Sequence, residues 1–309
     1  MPTTKLTSRP LARLTLAVGA GTLLLSACSS TSTATSSPSA GGPVSVVAAF
    51  YPLEYAATSV GGDAVSVTTL TPPGVEPHDL ELTAAQVAEI ASADVVLYVK
   101  GFQPAVDEAV QQQAADRAID VSDGLTLLAG TGEGEESAVD PHVWLAPLNM
   151  ATIGSTIGTR FAALNPAAAD AIGTRTTEFG DSMSQLDARF TAGLAQCATR
   201  DLVVSHDAFG YLADAYDLSQ IGISGLSPEA EPSPARLKEV AQLVRDTGIT
   251  TIYHETLVDP KIAQTIADET GATSAVLDPL EGLAPDSTGD YLTVMDQNLA
   301  TLQSGQSCS

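Results

Sequence analysis

The chain has 309 residues, 44% of them apolar, which suits one large domain or two lobes around a packed core and excludes wholesale disorder. Thirteen basic residues face 37 acidic ones for a formal net charge of −24, and that balance argues against nucleic acid as a partner. The same acidity favours solubility and draws cations toward the surface.

In chain order, Lys5, Arg9 and Arg13 precede an apolar run from Leu14 to Leu25, and the small residues Ser26 and Ala27 follow. This is the layout of a secretory signal peptide over residues 1–27, with an apolar run too short to span a membrane. Leu25-Ser26-Ala27-Cys28 resembles a bacterial lipobox. The resemblance implies that Cys28 becomes the lipidated first residue of the mature chain, on the extracytoplasmic face of the cell membrane; an ordinary secreted chain is the alternative. Residues 28–43 are almost wholly Ser, Thr, Ala, Gly and Pro after the cysteine, a composition that cannot bury enough apolar surface to order itself. They read as a tether, roughly 20 Å from end to end.

From Val44 onward, short β-branched runs alternate with segments of helical period, the pattern of parallel α/β structure. Strands are predicted at Val44–Ala49, Val65–Leu70, Val95–Val99 and Ala118–Val121, and helices at Leu53–Val60, Thr83–Ser92 and Ala105–Ala114. They make a first lobe over residues 44–165. A Gly- and Glu-rich stretch from Gly130 to Asp140 has no periodicity and reads as a surface loop, with Glu133, Glu135 and Glu136 at its solvated tip.

Over residues 166–197, Phe179, Met183, Leu186, Phe190 and Leu194 recur at helical spacing after Pro166, which predicts one continuous linking helix. Such a helix would be roughly 45–50 Å long. The strand–helix alternation then restarts, with strands at Leu202–Val204, Ile221–Ser224, Thr250–Tyr253 and Ser274–Leu277. The intervening helices are Ala208–Tyr216, Pro234–Thr247, Pro260–Thr270 and Tyr291–Leu302, completing a second lobe over residues 198–309. Beyond Cys28 only Cys197 and Cys308 remain, and export to an oxidising compartment predicts that this even pair is a disulfide, free thiols being the alternative. A loop of about a hundred residues closed in this way contributes roughly 4–5 kcal/mol in the chain-entropy account.

The four histidines, at 78, 142, 206 and 254, each stand at the end of an element, and none is spent on a predicted helix. His78 follows the rigid Pro72-Pro73-Gly74-Val75-Glu76-Pro77 turn, and His142 lies between the acidic loop and Trp144, the only tryptophan. His206, Glu255 and Asp278 come directly after strands. Ligands of open α/β sheets bind at the carboxyl ends of strands, so these groups can converge on one crevice.

These contexts resemble the cluster A-I substrate-binding proteins, the zinc and manganese receptors of ABC importers. The resemblance runs from about Val44 to Cys308 and is carried, in the family's order and spacing, by PHDLELT at Pro77, DPHVWLAP at Asp140, SHDAFGYLADAYDL at Ser205, SPEAEPSPARL at Ser227 and LDPLEG at Leu277. It implies two parallel-sheet α/β lobes joined by a single long helix, with a metal site in the cleft between them. Carried over residue by residue, the metal ligands are His78, His142, His206 and Asp278, two from each lobe. Three neutral nitrogens and one carboxylate suit a borderline-soft divalent ion, Zn²⁺ before Mn²⁺ or ferrous iron. Glu255 can accept a hydrogen bond from a ligand imidazole, while His254 sits where the family has no known ligand and is expected behind the ligands or on the surface. The loop at 130–140 lacks the histidine run of many zinc members. The resemblance further implies a monomer that delivers its ion to a permease and its ATPase; some members are described as adhesins. The chain carries no HExxH, GxSxG, phosphate-binding loop or dinucleotide fingerprint, so an enzyme is not expected.

Overall fold

The computed structural model describes residues 42–130 and 139–309. The expected signal peptide at 1–27, the expected lipidation site at Cys28, the expected tether up to residue 41 and the tip of the acidic loop therefore lie outside the described residues.

The first lobe runs β1 (Val44–Ala48), α1 (Tyr51–Gly61), β2 (Val65–Thr69), α2 (Ala84–Ser92), β3 (Val95–Tyr98), α3 (Pro104–Gln113) and β4 (Ala118–Asp120). All four strands are parallel, in the order β2-β1-β3-β4. Val46, Val47, Val95, Val96 and Leu97 are buried, as expected of parallel strands covered by helices on both faces. Helix α2 begins where Thr83 and Gln86 close a capping box, each side chain bonding the other residue's backbone N–H.

The second lobe repeats the plan: β5 (Asp201–Val204), α6 (Gly210–Ala215), β6 (Ser219–Gly222), α7 (Pro234–Thr247), β7 (Thr251–His254), α8 (Lys261–Thr270), β8 (Thr273–Val276) and α9 (Tyr291–Gly305). Its parallel sheet has the order β6-β5-β7-β8, the same winding as the first. Strand β6 lies two residues earlier than the sequence predicts, its last paired residue Gly222 standing opposite Val204 at the end of β5.

Between the lobes stand α4 (Pro147–Leu164) and α5 (Ala169–Gly193). The linking helix is shorter than expected: Pro166–Ala168 form a separate 3-10 turn, and the last α-helical residue is Gly193 rather than Cys197. Its 25 residues span roughly 37 Å. Phe179, Met183, Leu186 and Phe190 are buried along one face, the face that the apolar spacing marked. Helix α4 has no counterpart in the sequence prediction. It packs against α5 at Gly154, where an added Cβ would collide with the Phe179 ring, so only glycine lets the two helices approach this closely.

One continuous buried cluster runs from Val46, Phe50 and Leu97 through Ile157 and Leu186 to Phe209, Tyr253 and Leu302. The lobes thus share a core along α4, α5 and α9, which braces the cleft. A second cluster, including Val203, Val244, Ile252 and Ile266, lies under α7 and α8. Cys197 and Cys308 are joined in a disulfide that ties the chain beyond α5 to the chain beyond α9.

Candidate metal centre

Each ligand-bearing residue sits just past a strand or in a constrained turn. His78 follows β2 in a turn held from both sides: Glu76 Oε1 accepts from the His78 N–H at 3.0 Å, and Gln103 Nε2 donates to the Pro77 carbonyl at 3.1 Å. Burial pushes the Glu76 carboxyl up to about 7. His142 leads a 3-10 turn over Val143–Leu145. Its backbone N–H and its Nδ1 both reach Asp140 Oδ1, at 2.9 and 2.7 Å. His206 stands at the carboxyl end of β5, and its Nδ1 meets Glu255 Oε1 at 2.9 Å. Glu255 Oε1 also accepts from the Ser205 hydroxyl at 2.7 Å.

With Nδ1 of His142 and His206 engaged by carboxylates, Nε2 is the free nitrogen on each ring, and both point into the cleft. There they meet His78 Nε2 and the carboxylate of Glu281, four groups whose ligand atoms all lie within 4.8 Å of one another. Glu281 Oε1 is 3.4 Å from His78 Nε2, 3.3 Å from His142 Nε2 and 3.1 Å from His206 Nε2, and the first two nitrogens are 3.4 Å apart. A tetrahedral ion with donors at ~2.0–2.1 Å holds them roughly 3.3 Å from each other, and these four separations match that spacing, with all four donors within 4.8 Å. His142 and His206 are fully buried, Glu281 is 1% exposed and His78 is 8% exposed, so His78 marks the open side of the cleft. Phe50 and Phe102 pack edge to face on Trp144 behind the imidazoles, and Phe102 meets His78 edge-on with centroids 4.5 Å apart. This aromatic backing keeps water away and strengthens every charge interaction inside.

Burial pulls the His78 imidazole below its ordinary value of 6.5. Burial pulls His142 the same way, but Asp140 and then Glu281 outweigh it and its value is raised. For His206 burial is likewise overcome, by Glu255 and Glu281, and the value is raised well above 6.5. Burial would raise Glu281, yet the facing His206 and His78 hold it well below the ordinary carboxylate range. Without metal, Glu281 is thus held toward its ionised form, while His142 and His206 hold protons more readily than an ordinary imidazole and His78 less readily. A divalent ion replaces those protons and finds three neutral nitrogens and one carboxylate, with Asp140 and Glu255 one hydrogen bond further out.

Asp278, expected as the fourth ligand, is not in this group; Glu281 takes its place. Asp278 Oδ1 accepts from the Leu280 N–H at 2.7 Å and Oδ2 from the Thr256 hydroxyl at 2.9 Å, while Asn298 pairs with its backbone at 2.9 and 2.7 Å. The short side chain is thus consumed in closing an Asx turn. Leu280, at φ 55°, carries the chain through the left-handed region, so the longer Glu281 is the carboxylate that turns into the cleft. LDPLEG held this signal in its Asp-Pro turn followed by a longer acid, as Asp140-Pro141-His142 held one for Asp140. Glu255 lies beside the His206 imidazole, 2.9 Å from its Nδ1. His254 points away to Ser274, with Nδ1 2.8 Å from Oγ, and burial lowers it.

Two parallel α/β lobes on one long helix, with three imidazoles and a carboxylate converging between them, define a cluster A-I metal-type substrate-binding protein. Residues 46–305 match the family model for ZnuA, zinc-uptake complex component A, periplasmic, and the chain belongs to that family. It is 33% identical over 287 residues to the zinc-binding protein AdcA of Streptococcus pyogenes, covering 85% of this chain but only 56% of that longer protein. It is 32% identical over 298 residues to the high-affinity zinc uptake system protein ZnuA of Bacillus subtilis, covering 91% of this chain and 93% of that one. Among solved structures, the Zn(II)-bound ZnuA-like domain of Streptococcus pneumoniae AdcA superposes with a TM-score of 0.75 at 32% identity, over 86% of this chain and 99% of that domain.

Proposed function

We propose that this chain captures Zn²⁺ outside the cytoplasmic membrane and delivers it to an ABC permease driven by a partner ATPase, working as a monomer held at the membrane through a lipid on Cys28. The observation that carries the metal assignment is the spacing of the four donors, 3.1–3.4 Å around Glu281 Oε1, which suits a tetrahedral ion. His78, His142, His206 and Glu281 are the proposed ligands. Nitrogen-rich four-coordinate sites select Zn²⁺ over Mn²⁺, which prefers more oxygen ligands. Four protein ligands leave a tetrahedral ion no position for an activated water, so the site is built to hold an ion rather than to use it. The names of the similar zinc-binding and zinc-uptake proteins support the same cargo.

The body fits a tethered receptor. Among the described residues no helix is long and apolar enough to cross a membrane, and β1 begins at Val44, directly after the Ser- and Gly-rich stretch. Residues 28–43 as tether, 44–165 and 198–309 as lobes, and 166–197 as the link form the proposed domain plan. Metal analysis of protein purified without chelator, followed by competition titration with Zn²⁺ and Mn²⁺, tests the cargo. One tightly held zinc per chain supports it; manganese or ferrous iron binding as tightly as zinc overturns it.

A further inference from the structure

We infer that Gly210 and Tyr211, from the second lobe, form a latch that positions His142 of the first lobe through Asp140, and so make the grip on the metal depend on the lobes being closed. This rests on the metal-capture reading and adds a positioning device to it.

The latch is a set of contacts on one residue. The Tyr211 hydroxyl donates to the Asp140 carbonyl at 2.8 Å and accepts from the Leu128 N–H at 3.1 Å. Leu128 and Asp140 are themselves paired, the Asp140 N–H donating to the Leu128 carbonyl at 2.9 Å, so one phenol from α6 closes the neck of the loop that precedes His142. Gly210, the residue before, lies against the Asp140 carboxylate, and a Cβ built there would collide with Oδ2. The missing side chain is what admits the carboxylate. Asp140 Oδ1 in turn holds the His142 backbone N–H and Nδ1. That bond sets the tautomer and aims Nε2 at the site.

The parts are buried, Tyr211 to 4% exposure, Asp140 to 3% and His142 fully. Both hydrogen bonds of the Tyr211 hydroxyl go to the first lobe, not to its own sheet. Separation of the lobes must break them, and with them the support that keeps Asp140 beneath His142. Two imidazoles of the site then lose their fixed relation: His206 travels with the second lobe and His142 is freed to turn. Closure and tight metal holding become one event.

The test compares wild type with Tyr211→Phe, Gly210→Ala and, as a control, Tyr216→Phe. Tyr216 is a second phenol, just beyond α6, whose hydroxyl donates to Asp187 and not to the other lobe. Zinc affinity and dissociation rate are read by competition with a chromogenic chelator, and ligand geometry by the visible spectrum of the Co²⁺ form. Tyr211→Phe and Gly210→Ala are each expected to lower affinity about tenfold, chiefly by faster release, and to alter the Co²⁺ spectrum. Tyr216→Phe should leave all three readings as in wild type. In an Asp140→Ala background, Gly210→Ala should bring no further loss, since its effect passes through that carboxylate. If Gly210→Ala does not fold, Tyr211→Phe alone decides. A wild type that binds zinc, with Tyr211→Phe matching it in affinity, release and spectrum, overturns the latch; a wild type that binds none overturns the metal-capture reading and the latch with it.

Discussion

Trp144 Nε1 donates to the carbonyl of Pro279 at 2.8 Å, joining the turn that carries His142 to the turn that carries Glu281. Each of the bonded residues is two positions from its ligand, and Tyr291 Oη holds the Trp144 carbonyl at 2.6 Å from behind. Trp144→Phe keeps most of the buried ring but leaves the Pro279 carbonyl without its donor. An unsatisfied buried carbonyl costs about 1–3 kcal/mol. Calorimetry should therefore show weaker zinc binding in this variant with its stoichiometry unchanged.

The two acids of the LDPLEG turn should separate cleanly. Glu281→Gln removes the carboxylate that faces all three imidazoles, and zinc affinity should fall by about a hundredfold or more, in line with the loss of charge-assisted contacts in a buried site. Asp278→Asn keeps an oxygen able to accept from the Leu280 N–H, so the turn should persist and affinity should change by less than about tenfold. Competition titrations on the two variants check this; a larger loss in Asp278→Asn would return the ligand role to Asp278.

The dependence on pH follows from the raised histidines. His142 and His206 bind protons more readily in the folded, metal-free protein than the ordinary value of 6.5. Their contribution to metal-free stability is complete below 6.5 and is lost as pH rises through the raised folded values. Zinc competes for the same nitrogens, so its affinity moves the opposite way and falls as pH falls. His78, lowered by burial, offers no competing proton above 6.5. The rise in melting temperature on adding zinc should therefore grow between about pH 6 and 8, with protons released on binding at pH 7. Thermal scans and calorimetry in buffers of different ionisation enthalpy measure both; an affinity independent of pH would exclude the histidine site.

Cys197 and Cys308 are 111 residues apart and close nearly the whole second lobe into a loop. Changing both to serine should lower stability by about 2–5 kcal/mol, since the bond acts mainly on the unfolded chain. Denaturant titration would show that loss, while zinc affinity measured below the transition should remain near wild type.

Cys28→Ser should release the protein from the membrane fraction without altering zinc binding by the purified body. A variant that stays in membranes would show that the lipid on Cys28 is not the anchor.

The alternation of β-branched runs with amphipathic segments was enough to predict both lobes, because parallel strands buried on two faces must be continuously apolar. Helix α5 was legible from Phe179, Met183, Leu186 and Phe190 for the same kind of reason: a buried stripe imposes its period. Helix α4 escaped because Gly154 and Thr152, Thr156 and Thr159 obscure its apolar spacing. Those threonines turn their hydroxyls back to carbonyls one turn earlier, and the glycine exists for the neighbour it touches, not for the helix it sits in.

At the site, histidine scarcity and placement marked all four histidines alike, and only the family resemblance implied His78, His142 and His206; the tertiary structure brings those three together and turns His254 toward Ser274. The fourth group was decided only in three dimensions. Asp278 and Glu281 stand three residues apart in one turn, and local sequence cannot say which acid closes the turn and which crosses the cleft. The choice depends on where Asn298 and Thr256 meet Asp278, and on the left-handed Leu280 between the two acids. Likewise Asp140, Gly210 and Tyr211 lie in segments separated by some seventy residues, 71 for the Tyr211–Asp140 bond, and their relation is a property of lobe docking rather than of any local pattern.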